Sequence, residues 1–215
     1  MIKVKTFVFN PFQVNSYIVN NHDGEAYIID AACSDNKERE QLLHYIEKQE
    51  IRIKALINTH CHVDHLLGIE YLRKRLEVPF YCCEDDQFLI NTSVAQGNLF
   101  GLSVEEPSNP DQYIHEKDLL SIGDQKIKIF HVPGHSPGSL VFYFEEDSLL
   151  FTGDVLFLGS IGRTDLPGGD YHELIEGIRG KLLSLDDQVT VFPGHGPTTT
   201  IGQERRFNPF LQGGF

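Results

Sequence analysis

The sequence predicts an α/β fold built as two similar halves, each a sheet with helices on its outer side, packed sheet against sheet. Two observations carry this prediction. Short runs rich in Val, Ile, Phe and Tyr arrive in groups separated by Asn, Pro or Gly, and the order strands, helix, strand, helix occurs twice along the chain. At 215 residues and 40% hydrophobic content the chain can bury a substantial core, and residues 1–215 read as one domain.

The first half opens with strand-like runs at about 2–9, 14–20 and 24–31, which form a meander. A helix at about 36–49 follows, because Asp35 and Glu38 have capping-box spacing and Leu42, Leu43 and Ile46 make an apolar stripe. The run Lys54 to Asn58 is the next strand, and a second helix is expected at about 64–76. The stretch 84–116 is assigned no chemistry; it holds a short helical segment near 84–91 and a loop from Glu105 to Asp111 with two prolines. Strands at about 126–132, 139–145 and 148–152 open the second half. A helix at about 170–184 is announced by Asp170 with Glu173 three residues on, and its apolar face is Tyr171, Leu174, Ile175, Ile178 and Leu182. A last strand from Gln188 to Phe192 leads to a Gly-Pro loop and a short helix.

Charge narrows the range of partners. A formal net charge of −13 argues against nucleic acid and anionic membrane surfaces, which would repel it, and leaves a small-molecule substrate as the expected partner. The first ten residues alternate apolar and polar, unlike a signal peptide, and no run reaches membrane-spanning length. The four cysteines form no disulfide framework. Reduced thiols and a cytoplasmic location are therefore expected.

The densest chemistry lies in His60-Cys61-His62-Val63-Asp64-His65, three imidazoles and a carboxylate in six residues. His60 and His62, two apart, point the same way from an extended turn, while Asp64 and His65 face elsewhere, so one loop can serve two neighbouring ions. Cys61 alternates away from them and reads as a buried, inert thiol. Three more candidates fall where strand-end loops are expected: His135 in Pro133 to Ser139, Asp154 after Phe151-Thr152-Gly153, and His195 in Pro193 to Pro197. Each has a neighbouring glycine, which permits close approach to an ion. Seven ligands divide between two ions. His131 stands four residues before His135, and His22, His44, His115 and His172 read as surface residues.

These four motifs, in this order and over nearly the whole chain, resemble the metallo-β-lactamase superfamily, and more closely its glyoxalase II-like hydrolases. The resemblance implies a four-layer αββα sandwich with the site at one edge of the sheets. It implies one metal held by His60, His62 and His135, a second held by Asp64, His65 and His195, and Asp154 bridging them, with Asp64 and Asp154 as the catalytic carboxylates. Asp30 corresponds to an aspartate that supports the site from behind; here two alanines replace the usual Pro-Gly after it, and a turn-capping role is the alternative. Arg163, in Gly162-Arg163-Thr164-Asp165, is similar to a Gly-Arg element of the family and is the candidate to grip a substrate carboxylate, with a structural pair to Asp165 as the alternative.

Two divalent ions roughly 3.5–4 Å apart can share a hydroxide that is available at neutral pH, and can stabilise the oxyanion of an attacked carbonyl. The implied activity is hydrolysis of a thioester such as a hydroxyacyl-glutathione, with zinc as the default metal and iron or manganese as alternatives. A mononuclear non-haem iron persulfide dioxygenase using His60, His135 and Asp154, or a metal-binding protein without turnover, are the competing readings. Glyoxalase II proteins carry a helical C-terminal extension that holds glutathione; this sequence ends at Phe215, so a glutathione thioester is expected to bind differently or weakly, with a smaller or different thioester as the alternative.

Overall fold

The computed structural model describes residues 1–212. Strands β1 (Lys3–Phe9), β2 (Val14–Asn20) and β3 (Glu25–Ile29) form the expected antiparallel meander, with Lys3 opposite Asn20 and Tyr17 opposite Ile29. Helix α1 (Asn36–Lys48) starts where Asp35 accepts from Glu38 N, and returns the chain to β4 (Arg52–Ile57), which pairs parallel to β3. Strands β5 (Phe80–Cys82) and β6 (Gln112–Tyr113) extend the sheet in parallel, giving the order β1-β2-β3-β4-β5-β6.

The single helix expected at about 64–76 is two helices, α2 (Val63–Leu66) and α3 (Ile69–Leu76). The break is at Gly68. Its N–H donates to Ala31 O at 2.8 Å, and a Cβ there would lie 2.7 Å from that same oxygen, so the chain passes the Ala31–Cys33 turn at a distance only glycine allows. The segment expected near 84–91 is a 3₁₀ turn over Glu84–Asp86 that runs into a full helix, α4 (Gln87–Leu99).

The second sheet is built from β7 (Leu120–Ile122), β8 (Gln125–His131), β9 (Leu140–Phe144), β10 (Leu149–Gly153), β13 (Thr190–Pro193) and β14 (Thr199–Thr200), after the small hairpin of β11 (Leu156–Phe157) and β12 (Ser160–Ile161) has left β10. Its order is β14-β13-β10-β9-β8-β7, antiparallel throughout except where β10 meets β13. Helix α5 (Tyr171–Gly177) is shorter than expected, because the chain continues as a π-helical turn over Ile178–Leu182. Helix α6 (Ile201–Phe207) follows β14.

Three apolar layers make four layers of backbone. Tyr17, Val19, Ile29 and Ile57 meet Ile127, Leu140, Phe142 and Phe151 between the sheets. Leu42, Ile46, Leu72 and Leu89 of the helices cover the far side of the first sheet on Ile18, Ile28 and Leu56. Leu174, Ile178, Leu182 and Ile201 cover the second sheet on Val141, Leu150 and Val191. Every residue of β2 is buried, as a strand covered on both faces must be. This is the αββα arrangement. Among the described residues no helix is long and apolar enough to cross a membrane.

Backbone hydrogen bonds knit the two halves together at one edge. Leu140 N donates to Thr59 O at 2.7 Å, and Asn15 N to Gly194 O at 2.7 Å. That edge holds the loops after β4, β8, β10 and β13.

Candidate metal centre

All seven predicted donors converge on this edge. Ligand atoms of His60, His62 and His135 lie within 4.8 Å of one another, and so do those of Asp64, His65 and His195. His135 Nε2 stands 2.9 Å from His62 Nδ1 and 3.2 Å from His60 Nε2. His195 Nε2 is 3.5 Å from Asp64 Oδ2, and His65 Nε2 is 3.7 Å from the same oxygen. Asp154 lies between the groups, with Oδ1 at 3.5 Å from His65 Nε2 and Oδ2 at 3.6 and 3.4 Å from the Nε2 atoms of His135 and His195.

The histidines are turned inward by what holds their outer nitrogens. His135 Nδ1–H donates to Arg163 O at 2.9 Å, and His195 Nδ1–H to Phe12 O at 3.0 Å. Thr59 Oγ1 donates to Asp30 Oδ2 at 2.7 Å and so receives from His60 Nδ1 at 3.2 Å. Each partner keeps a proton on Nδ1 and leaves Nε2 as the atom that faces the cluster. His65 Nδ1 faces Asp30 Oδ2 at 3.2 Å.

Such a set of inward nitrogen and oxygen atoms repels itself unless positive charge, as protons or cations, sits among them. The buried atoms His62 Nε2, His65 Nε2 and Asp154 Oδ1 have no hydrogen-bond partner, which a well-satisfied polar core does not tolerate. Nitrogen and carboxylate donors in two groups sharing one carboxylate fit a pair of divalent cations.

Electrostatics divide the cluster the same way. Burial, and then the neighbouring imidazoles, push His60 well below the ordinary histidine range and His62 down to about 4. Burial would lower His65 too, but Asp64, Asp30 and Asp154 outweigh it and raise the group to about 9. His195 is raised to about 10 against its own burial by hydrogen bonds to Asp154 and Asp64. Desolvation opposes ionisation of Asp154 and Asp64, yet His65 and His195 hold both below the usual carboxylate range. Positive charge is therefore wanted at the carboxylate end.

Asp30 turns its carboxylate to the loop after β4 rather than to its own turn. It is buried at φ +53°, its Oδ1 accepts from Thr59 N at 2.7 Å, and its Oδ2 serves both Thr59 Oγ1 and His65. One carboxylate thus holds the backbone and hydroxyl of Thr59, which touches His60 Nδ1, and faces His65. Arg163 is placed differently. Its guanidinium forms two 2.7 Å hydrogen bonds to exposed Asp165, while its carbonyl receives His135. Cys61 is fully buried in the layer beneath α2, α3 and α4, and its thiol is pushed well up by burial.

Sequence reasoning missed the supports. Asp86, in the stretch assigned no chemistry, accepts from Cys61 N at 2.9 Å and Ser136 Oγ at 2.9 Å through Oδ2, and from Gly138 N at 2.7 Å through Oδ1. It clasps the His60–His65 loop to the His135 loop. Asn58 Nδ2 donates to the carbonyls of His60 and His65, at 3.1 Å each, and closes the motif on itself. The usable signal for Asn58 was its position at the end of a strand directly before the motif; nothing local marks Asp86. Gly194 is needed beside Asp154, because a Cβ there would collide with Asp154 Oδ1.

Residues 9–195 match the family profile described as Metallo-beta-lactamase superfamily. Hydroxyacylglutathione hydrolase GloC of Haemophilus influenzae is 40% identical over 202 residues, covering 93% of each chain. Among solved structures, the BLEG-1 B3 metallo-beta-lactamase superposes with TM-score 0.90 at 36% identity, covering 98% of this chain and all of the other. TTHA1623, solved in a di-iron-bound form, gives TM-score 0.87 at 36% identity over 97% of this chain and all of that one. Fold, donor cluster and kinship agree that the chain belongs to the metallo-beta-lactamase superfamily, whose members bind metals and are generally hydrolases.

Proposed function

We propose that the protein is a two-metal thioester hydrolase that cleaves a hydroxyacyl-glutathione to the hydroxy acid and the free thiol, and that residues 1–215 act as one domain. The observation that carries the reading is the pair of three-residue groups meeting at Asp154. The thioester class is taken from the GloC relative at 40% identity.

On this reading His60, His62 and His135 would hold one cation, Asp64, His65 and His195 the other, and Asp154 both. Bound there, two divalent ions supply Lewis acidity that makes water nucleophilic near neutral pH and stabilises negative charge on the attacked carbonyl oxygen. In the metal-free cluster His65 and His195 hold Asp64 and Asp154 below the usual carboxylate range, so both would meet the cations as ionised donors, and they are the carboxylates this reading assigns to catalysis. A thiolate leaves without a general acid, because a thiol with a pKa near about 8.5 is already a good leaving group. Zinc suits the histidine-rich donor set, and iron is an alternative supported by the di-iron form of TTHA1623. Four buried free cysteines suit a reducing, cytoplasmic setting.

The test is an assay of protein loaded with zinc, iron or manganese, following thiol release from S-lactoylglutathione beside oxygen uptake with glutathione persulfide. Thiol release with two ions per chain and no oxygen uptake is expected. Persulfide-dependent oxygen uptake at one ion per chain would replace this reading with the dioxygenase, and the absence of turnover on either substrate would sink it.

A further inference from the structure

Away from the seven-residue cluster, Cys83, Asp85 and His131 bring a thiol, a carboxylate and an imidazole together, with donor atoms all within 4.8 Å of one another. Three different elements supply them. Cys83 follows β5, Asp85 lies in the 3₁₀ turn before α4, and His131 ends β8. Cys83 Sγ is 3.8 Å from Asp85 Oδ2, and that oxygen is 3.8 Å from His131 Nε2.

These spacings are close to those a cation demands. With zinc–sulfur near about 2.3 Å and zinc–nitrogen or zinc–oxygen near about 2.0–2.1 Å, a tetrahedral site sets its donors roughly 3.3–3.6 Å apart. A contraction of a few tenths of an ångström suffices, and Asp85, 57% exposed at its side chain, is free to make it. The carbonyl of Pro137, 2.7 Å from His131 Nε2, accepts the ring proton whose place a cation would take.

We propose that Cys83, Asp85 and His131 form a separate site for one thiophilic divalent cation, of the class of zinc or cadmium. Burial pushes the Cys83 thiol up to about 12, so without a cation it is protonated and a poor nucleophile. Binding exchanges the Sγ–H proton for the metal and releases one proton to solvent. Coordination through His131 Nε2 requires the proton donated to Pro137 O to move to Nδ1, a transfer within the ring that releases none. A cation here would join the 83–85 segment to the end of β8. The next residue, Asp86, already holds Ser136 and Gly138 of the His135 loop.

The proposal is independent of how many ions the seven-residue cluster takes, because that cluster offers only nitrogen and oxygen. Titration of the reduced full chain with Co²⁺ therefore separates the two: only a bound thiolate gives sulfur-to-cobalt charge-transfer absorption. The expected result is a charge-transfer band of one thiolate per chain that disappears in Cys83→Ser and persists in Cys61→Ser. Asp85→Asn and His131→Ala should each weaken the affinity read from that band by more than about tenfold, as loss of a coordinating group requires. No band at saturating Co²⁺, or a band that survives Cys83→Ser, overturns the site. Should Cys83→Ser not fold, Asp85→Asn decides, and an unchanged affinity there overturns the proposal equally.

Discussion

At Asp154 one carboxylate oxygen faces His65 and the other faces both His135 and His195, so a single side chain carries charge balance for both donor groups. On the proposed two-metal reading, alanine there would leave two cation positions facing each other without their shared anion. Asp154→Ala should cut thioester turnover by orders of magnitude and lower metal content below two ions per chain, as measured by elemental analysis of protein reloaded with zinc. Near-normal turnover in that variant would show that the donors have been wrongly assigned. Arg163 poses a different question, because its guanidinium is engaged by Asp165 and both side chains are exposed. Exposed pairs contribute little, so Arg163→Ala and Asp165→Ala should each leave Tm nearly unchanged. If the guanidinium also grips a substrate carboxylate, Arg163→Ala raises KM while Asp165→Ala, which frees it, lowers KM. Equal KM values in the two variants and the parent would confine Arg163 to its carbonyl's role behind His135.

Among the elements, the turn before α4 matters most to the site, because Asp86 ties the loop after β4 to the loop after β8. Asp86→Ala leaves Cys61 N, Gly138 N and Ser136 Oγ to find other acceptors in a buried setting. The cost should be at least about 2 kcal/mol, or a fall in Tm of roughly 4–8 °C, together with weaker binding at the His60, His62 and His135 position. Thermal melting with metal titration checks both; an unchanged Tm and unchanged metal affinity would show that the clasp is dispensable. Asp86 escaped the sequence reading because its partners are 25, 50 and 52 residues away and its own neighbours, Glu84 and Asp85, look like a solvated acidic turn. The first three strands and α1 were readable, since alternation and the Asp35 cap are local signals. Strands β5, β6 and β7 were not, because two or three residues are too few for alternation to show. The break at Gly68 was equally hidden, since its cause is the carbonyl of Ala31, thirty-seven positions earlier. The clustered residues were easier to single out: density marked His60, His62, Asp64 and His65, and order with a neighbouring glycine marked His135, Asp154 and His195, whereas the carbonyls of Phe12 and Arg163 that orient His195 and His135 carry no residue-type signature.

For the whole molecule, the edge where the two halves join is also where buried charge is concentrated, so stability and cation binding are linked through pH. Without cations, His65 and His195 titrate near about 9 and about 10, above the value of about 6.5 expected when unfolded. Their contribution to stability is then complete below pH about 6.5 and is lost as pH rises through 9 to 10. His60 and His62 work in the opposite sense. Held neutral in the fold and protonated when unfolded, they remove stability as pH falls below about 6.5, and His62 does so down to about 4. Asp64 and Asp154, held low by the imidazoles, add to the acid loss once pH drops below the ordinary carboxylate range. Metal-free protein should therefore show its highest Tm near pH 6–7, with a decline on both sides. Cations take the place of the protons on His65 and His195, so zinc should raise Tm most on the alkaline side and flatten that limb, while the acid limb steepens as protons compete for the donors. Melting curves from pH 5 to 10, in chelator and in excess zinc, test the linkage. A metal-free Tm that climbs steadily from pH 7 to 10 would mean that the carboxylates do not hold protons on His65 and His195, and that the cluster's charge is balanced in some other way.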